Sequence, residues 1–333
     1  MSIPSFGEAV ETVVMIPHWN RAERLRRALE ALERQTLPAP VWVIDNGSTD
    51  ETRQMLARRF EAVRCLRLGS NRGFGAALNE GARQTRARLL IFLNNDAVAD
   101  PRFVEEVVAA QAASGAEMVA GCLRAPDGSV ESAGVEVDRS LIAYDIGHGQ
   151  RHEDLLAGPE LLPLAPSGGA AAFLHEAFVS VGGFDEGFFA YLEDVELGIR
   201  MRMSGMRCVA APSAFAWHEH STTLGSGSAA KNRLMGRSRG YLLWKYRAAL
   251  DHRARSRGLV IDGLVYSGQR IFHGNAGALR GRLEGRRELA ARRPPEADPR
   301  FASVPTVERP IPEALAVRLR RRVGSGSSGQ DRP

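Results

Sequence analysis

Cysteine is scarce in this 333-residue chain, with only Cys65, Cys122 and Cys208, far apart and odd in number. That excludes a disulfide scaffold. No pair has metal-ligand spacing, so a reducing cytoplasm is the expected compartment. Lysine is scarcer still: Lys231 and Lys245 are the only two among 44 basic residues, the rest being arginine. Long apolar runs are missing, since no segment approaches the about 18 uninterrupted apolar residues of a membrane span. The opening MSIPSFGEAVET carries an early acid and has neither a basic region nor a long apolar one, so a signal peptide is not expected. With 44% hydrophobic and 25% charged residues, a chain dominated by disorder is excluded too.

What charge there is lies unevenly. The formal net charge is +5, and residues 281–322 alone hold 11 Arg against 6 Asp plus Glu. The excess therefore belongs to a C-terminal segment. Such a segment suits an anionic membrane surface or a polyanion, and equally a solvated tail.

The first 125 residues alternate two patterns. Val13–Ile16, Val41–Ile44, Val63–Leu68 and Leu89–Leu93 read as strands, the last apolar throughout and hence central. Helical spacing separates them, with Leu25, Leu29 and Leu32 on one face and a further helix over 74–86. Strand alternating with helix predicts a mostly parallel sheet with right-handed crossovers. Residues 126–160 read as irregular. Order is expected again from Ser167, with helices near 175–181, from Glu193 and over about 229–250, and a disordered last ten residues.

In such sheets ligands gather at the carboxyl ends of the strands. Here those ends carry Pro17-His18-Trp19-Asn20, Asp45-Asn46, Asn71 and Asn94-Asn95-Asp96. No glycine fingerprint follows the first strand and there is no P-loop, which disfavours a dinucleotide or Walker-type site. Asp96 at a strand mouth suits a hard divalent cation bridging two phosphates, or a turn that caps the next helix. Asp45 can accept from the imide N–H of uracil or thymine with Trp19 stacking, or the two can be a turn residue and a core aromatic. Glu193-Asp194 opens a helix, where acids also serve as caps. There a carboxylate can act as general base, behind an aromatic approach that includes Phe189 and Tyr191. His218 and His220 share one face of a strand. A zinc site is not expected, since no cysteine or second histidine cluster completes it, whereas one histidine can join Asp96 on Mg or Mn.

In order along the chain, VVMIPHWNRAERLRRALEALERQT, VIDNGSTDET, NRGFGAALNEG, LLIFLNNDAVADP, GGFDEGFFAYLEDVELGIRMRMSG and WHEHSTTLGSGSAAKNRLMGRSRGYLLWKY resemble segments of the family 2 inverting glycosyltransferases. The similarity points to their rhamnosyltransferase-like branch and covers roughly residues 11–250. It implies a GT-A fold of the α/β class, Rossmann-like with a mostly parallel central sheet, and a C-terminal helical extension. It divides the chain into a transferase domain over 1–250 (nucleotide-sugar half 11–125, acceptor half 126–250), helices over 251–290 and an Arg/Pro-rich tail over 291–333.

The resemblance also assigns roles. Asp194 is the expected base, with Glu193 as fallback. Pro17, Trp19, Asn20, Asp45, Asn71, Arg72, Gly73, Asn79, Asn94 and Asn95 fall on the nucleotide side, Asp96 and His218 on the metal. His220, Lys231, Arg233 and Arg237 fall on the diphosphate and closing loop, and Phe189 and Tyr191 on the acceptor. Asn94 stands where many relatives carry the first Asp of Asp-x-Asp, and Asn46 where a second Asp is common. The processive Gln-x-x-Arg-Trp motif is missing. The implied reaction moves sugar from a UDP- or dTDP-sugar, such as dTDP-rhamnose, to a glycan, lipid-linked or small-molecule hydroxyl, with Mg or Mn and without nucleic acid; the alternatives are a non-catalytic sugar-nucleotide or glycan-binding module and a nucleotidyltransferase on a related fold. The expected enzyme is cytoplasmic, with peripheral membrane contact through the basic tail.

Overall fold

The computed structural model describes residues 10–218 and 228–316. Its first half follows the alternating pattern: β1 (Thr12–His18), α1 (Ala22–Leu32), β2 (Val41–Asp45), α2 (Thr52–Arg59), β3 (Arg64–Arg67), α3 (Phe74–Gln84), β4 (Leu89–Leu93), β5 (Ala97–Ala99) and α4 (Phe103–Ser114). Then come β6 (Met118–Arg124), β7 (Val130–Ser132), β8 (Val135–Val137), β9 (Ala143–Asp145), α5 (His152–Leu156), β10 (Ala170–Leu174), α6 (His175–Ser180), α7 (Glu193–Met203) and β11 (Cys208–His218). The chain continues with α8 (Ala229–Lys245), α9 (His252–His273) and α10 (Gly277–Leu289).

Strand order in the main sheet is β3-β2-β1-β4-β10-β6-β11-β5, with β7 on β6. β3, β2, β1 and β4 are parallel, as the βα alternation requires. β10 then enters antiparallel between β4 and β6. All five residues of β4 are buried, because the sheet is covered on both faces there. Val14, Ile16, Leu25 and Leu29 fill one layer. Phe92, Phe173, Phe178 and Phe184 pack ring on ring, with centroids 5.4–6.3 Å apart. The 126–160 stretch is not irregular: it holds β7, β8, β9 and α5. Those strands have three residues each, too few for a periodic signal between Gly and Asp turns.

The chain forms two compact units. The first takes the sheet and its helices, and the second takes α8, α9, α10 and Val137–Tyr144, the tip of the β8–β9 hairpin. In the second unit Ile142, Tyr144, Ile261 and Val265 make a small core. Arg239 is buried there against Asp262 at 3.2 Å. α8 and α10 touch backbone to backbone: a Cβ at Gly281 would lie 1.8 Å from the Arg233 carbonyl oxygen, so only glycine fits. Among the described residues no helix is long and apolar enough to cross a membrane, and the three cysteines are free.

Candidate active site

The strand mouths of the first unit converge through their turns. Asn20 and Arg21 precede α1 with φ of 56° and 68°, a left-handed conformation that side chains rarely adopt. It is held by bonds to the next turn: the Asn20 N–H donates to Ser48 Oγ at 2.9 Å, and Thr49 N–H donates to Asn20 Oδ1 at 2.9 Å. Trp19, beside it, is 38% exposed, which leaves a ring face for stacking. Pro17 lies within β1 opposite Ile44.

Asp45 is buried at the end of β2. Its Oδ1 accepts from the Ser48 N–H at 2.8 Å, and Oδ2 lies 3.6 Å from Arg67 Nε. Asn46 is a stitch between turns. Its amide donates to Asn71 Oδ1 and to the Gly73 carbonyl, both at 3.0 Å, and its oxygen accepts from the Arg72 N–H. Gly73 sits at φ 94°, where a Cβ would lie 2.4 Å from the Phe189 carbonyl oxygen. The aromatic approach is thus seated directly on this turn, and Phe74 N–H donates to the same oxygen. Asn79, placed by sequence on the nucleotide side, spends its amide on the backbone of Phe184 and on Glu186. That geometry makes it a clamp between α3 and the 184–186 segment.

His18, a strand-end residue in the sequence, links the turns at the mouth. Its Nε2 meets Thr52 Oγ1 and its Nδ1 meets the Asn95 amide, both at 2.8 Å. Burial lowers its pKa to about 4 against the pull of Asp45 and Asp50, so the ring is neutral and accepts from Asn95.

Asp96 and His218 meet at the mouth of β4. Strand β11 pairs with β5 so that His218 stands opposite Ala97. His218 Nε2 lies 3.1 Å from Asp96 Oδ1, and Nδ1 lies 2.7 Å from Glu131 Oε2 on β7. Burial pulls the imidazole pKa down, but hydrogen bonds to the two carboxylates outweigh it and push it up to about 10. Asp96 Oδ2 also faces Arg24 at 3.5 Å. Glu131 was missed because it lies in the stretch read as irregular, 87 residues from its partner.

The donor chemistry fits a divalent cation. The raised pKa places a proton between Asp96 Oδ1 and His218 Nε2; a cation that displaced it would meet a carboxylate oxygen and an imidazole nitrogen, with the second ring nitrogen held by a carboxylate, the outer support that metal-bound histidines use. Among the described residues no third acidic, His or Cys side chain completes a metal cluster. That suits a Mg- or Mn-type ion, which is held by one or two protein ligands plus substrate phosphates.

The acid pair stands at the start of α7. Tyr191 and Leu192 precede it, both left-handed at φ 70° and 66°. Asp194 Oδ2 accepts from the Gly168 N–H at 3.0 Å, and Oδ1 accepts from the Val195 N–H at 2.8 Å. The neighboring Gly169 carbonyl accepts from the Asn94 N–H at 3.1 Å. Two adjacent glycines therefore tie the acid of α7 to the Asn94-Asn95-Asp96 turn. A Cβ at Gly169 would lie 2.7 Å from Leu123 Cδ1.

The environments of the two acids differ. Glu193 is buried, its Oε2 has no hydrogen-bond partner among the described residues, and burial beside Asp194 pushes its pKa up to about 8. Burial raises Asp194 as well, but two backbone N–H groups favor its charged form. Both carboxyls are thus raised by burial, and of the two only Asp194 has backbone N–H groups that favor its charged form. Phe189 is 38% exposed, and burial pushes the Tyr191 hydroxyl up to about 12.

Lys231, Arg233 and Arg237 lie on α8 in the second unit. Ser228 Oγ caps that helix, accepting from the Lys231 N–H. Arg233 pairs with Glu284 at 2.6 Å and Arg237 with Glu288 at 2.8 Å, both on α10. His220 lies outside the described residues.

Residues 13–146 match the protein family described as Glycosyl transferase family 2. The chain is 31% identical over 226 residues to the O-antigen biosynthesis protein RfbC of Myxococcus xanthus, covering 63% of this chain and 17% of that protein. It is 33% identical over 233 residues to the N-acetylglucosaminyl-diphospho-decaprenol L-rhamnosyltransferase of Mycobacterium tuberculosis, covering 60% of this chain and 73% of the relative. In fold it resembles a mannosyltransferase from Pyrobaculum calidifontis in complex with GDP-Man and Mn2+. That match has a TM-score of 0.52 and 18% identity and covers 90% of this chain and 80% of the other.

Proposed function

The chain belongs to the family 2 glycosyltransferases and has their GT-A fold, and from that premise we propose an inverting transfer from a UDP- or dTDP-sugar to an acceptor hydroxyl, with Asp194 as base. The observation that carries this reading is the Gly168-Gly169 bridge, which holds Asp194 and the Asn94-Asp96 turn through adjacent backbone groups. A base for the acceptor and a strand mouth suited to a diphosphate are then joined through one hydrogen-bonded segment.

In this reading Trp19 stacks on the nucleobase and Asp45 accepts from its imide N–H. Phe189 and Tyr191 line the acceptor approach. Asp194 takes the proton of the acceptor hydroxyl as its oxygen attacks the anomeric carbon from the face opposite the leaving diphosphate, which inverts configuration. Glu193, protonated, adds no second negative charge beside it. Asp96 and His218 would hold a Mg or Mn ion, steadied by Glu131. Such an ion, when bound, neutralizes the departing diphosphate. Orientation of the two substrates supplies much of the remaining acceleration.

The rhamnosyltransferase relative makes dTDP-rhamnose the first donor to test, with a glycan or lipid-linked acceptor. We also read the basic excess over 281–322 as peripheral contact with an anionic membrane surface. Thermal shift over a panel of UDP-, dTDP- and GDP-sugars tests the donor assignment, since a ligand at 100 times its Kd stabilizes by about 2.7 kcal/mol. Stabilization by UDP or dTDP donors is expected. Stabilization by GDP-sugars alone overturns the assignment.

A further inference from the structure

Helix α9 turns apolar side chains outward. Leu259, Val260, Leu264 and Ile271 are 51–73% exposed, and Phe272 at its end is 80% exposed. At 100° per residue the first four share one face with Arg253 and Arg270, which stand near its two ends. Gly263 and Ser267 fill the face between them. The opposite face carries Ile261 and Val265 into the small core of the second unit. The helix has one acid, Asp262, and it is buried against Arg239. The outward face therefore combines exposed aliphatic groups with arginine and carries no acid.

An apolar face of this kind marks a contact. Pairing with a second copy of the helix sets arginine against arginine, parallel or antiparallel, with no carboxylate on the face to relieve it. An anionic lipid surface satisfies both halves of the pattern: lipid phosphates take Arg253 and Arg270, and acyl chains take Leu259, Leu264 and Ile271. Helix α9 does not qualify as a membrane span, so it would lie in the interface plane. By contrast, Arg293, Arg300 and Arg309 of the basic segment are paired locally with Glu296, Asp298 and Glu313.

We propose that α9 is an interfacial helix that seats the enzyme on an anionic membrane surface through its Leu259–Ile271 face. This rests on the membrane reading above and moves the main contact from the basic segment to α9. The test is co-sedimentation of the full chain with phosphatidylglycerol-containing vesicles and with pure phosphatidylcholine vesicles. Three double variants accompany it: Leu264→Ser with Ile271→Ser, Arg253→Gln with Arg270→Gln, and Arg286→Gln with Arg287→Gln.

The parent is expected to bind the anionic vesicles reversibly, and less so in high salt. Both α9 variants should weaken that binding by about tenfold or more, while the 286/287 variant stays near the parent. All should keep transfer to a soluble acceptor. If the apolar variant melts early, the arginine pair decides alone. Binding by the parent that the α9 variants leave unchanged overturns the proposal and spares the membrane reading. Loss confined to the 286/287 variant does the same. No binding by the parent overturns both. A lipid-free dimer by light scattering that Leu264→Ser with Ile271→Ser makes monomeric assigns the face to a second copy and also overturns the proposal.

Discussion

His218 Nε2 stands 3.1 Å from Asp96 Oδ1. The pair joins strands that are distant in sequence, and Glu131 fixes the ring from behind. A carboxylate on the far nitrogen orients a histidine for a metal on the near one. Glu131→Gln should therefore weaken Mn binding, read by electron paramagnetic resonance in the presence of dTDP, by about 10–100-fold. Asp96→Ala should abolish it, and chelation should stop transfer until Mn or Mg is restored. Unchanged Mn affinity in Glu131→Gln would remove Glu131 from that role.

Asp45 should report on the nucleobase. One of its oxygens is committed to the Ser48 N–H, which positions the carboxylate at the mouth. Asp45→Ala should weaken UDP and dTDP binding by about 1–3 kcal/mol, measured by calorimetry. Tighter binding of GDP than of both pyrimidine nucleotides by the parent would contradict the assignment.

Glu193 gives the protein a pH signature. Its pKa rises from 4.5 to about 8 on folding. A raised carboxyl binds more protons folded than unfolded, so its contribution to stability is full below about 4.5 and is lost as pH climbs through 8. Glu193→Gln keeps the shape and removes the titration. The variant should gain on the parent in melting temperature as pH rises from 5 to 8.5, read by calorimetry. Parallel curves over that window would show that Glu193 ionizes normally.

Gly73→Ala should unseat the acceptor side. The added Cβ meets the Phe189 carbonyl oxygen at 2.4 Å, in a backbone conformation of φ 94°. A loss of about 1–3 kcal/mol in unfolding free energy is expected, with faster proteolysis near residue 189. A melting temperature equal to the parent's would mean that this close approach is not held in solution.

Much of this was legible in sequence where signals are local. The apolar runs of β1, β2 and β4, the polar strand ends and the acid pair before Val195 stand within short windows. What was hidden depends on distant pairing. Strand β10 enters antiparallel beside β4, which no local period encodes. Glu131 reaches His218 across 87 residues from a three-residue strand. Arg233 and Arg237 read as diphosphate and closing-loop groups, yet Glu284 and Glu288 lie one helix packing away, on a face that glycine opens. Asn79 carried the family pattern, while its amide bonds go to the 184–186 segment.

The central claim is that Asp194 is the base, and Asp194→Asn tests it most directly. Donor affinity by calorimetry and turnover with a sugar acceptor are measured on the same preparation. Donor affinity near the parent's and turnover lower by roughly 10²–10⁴ are expected. Turnover near the parent's, with the donor still bound, would contradict that claim.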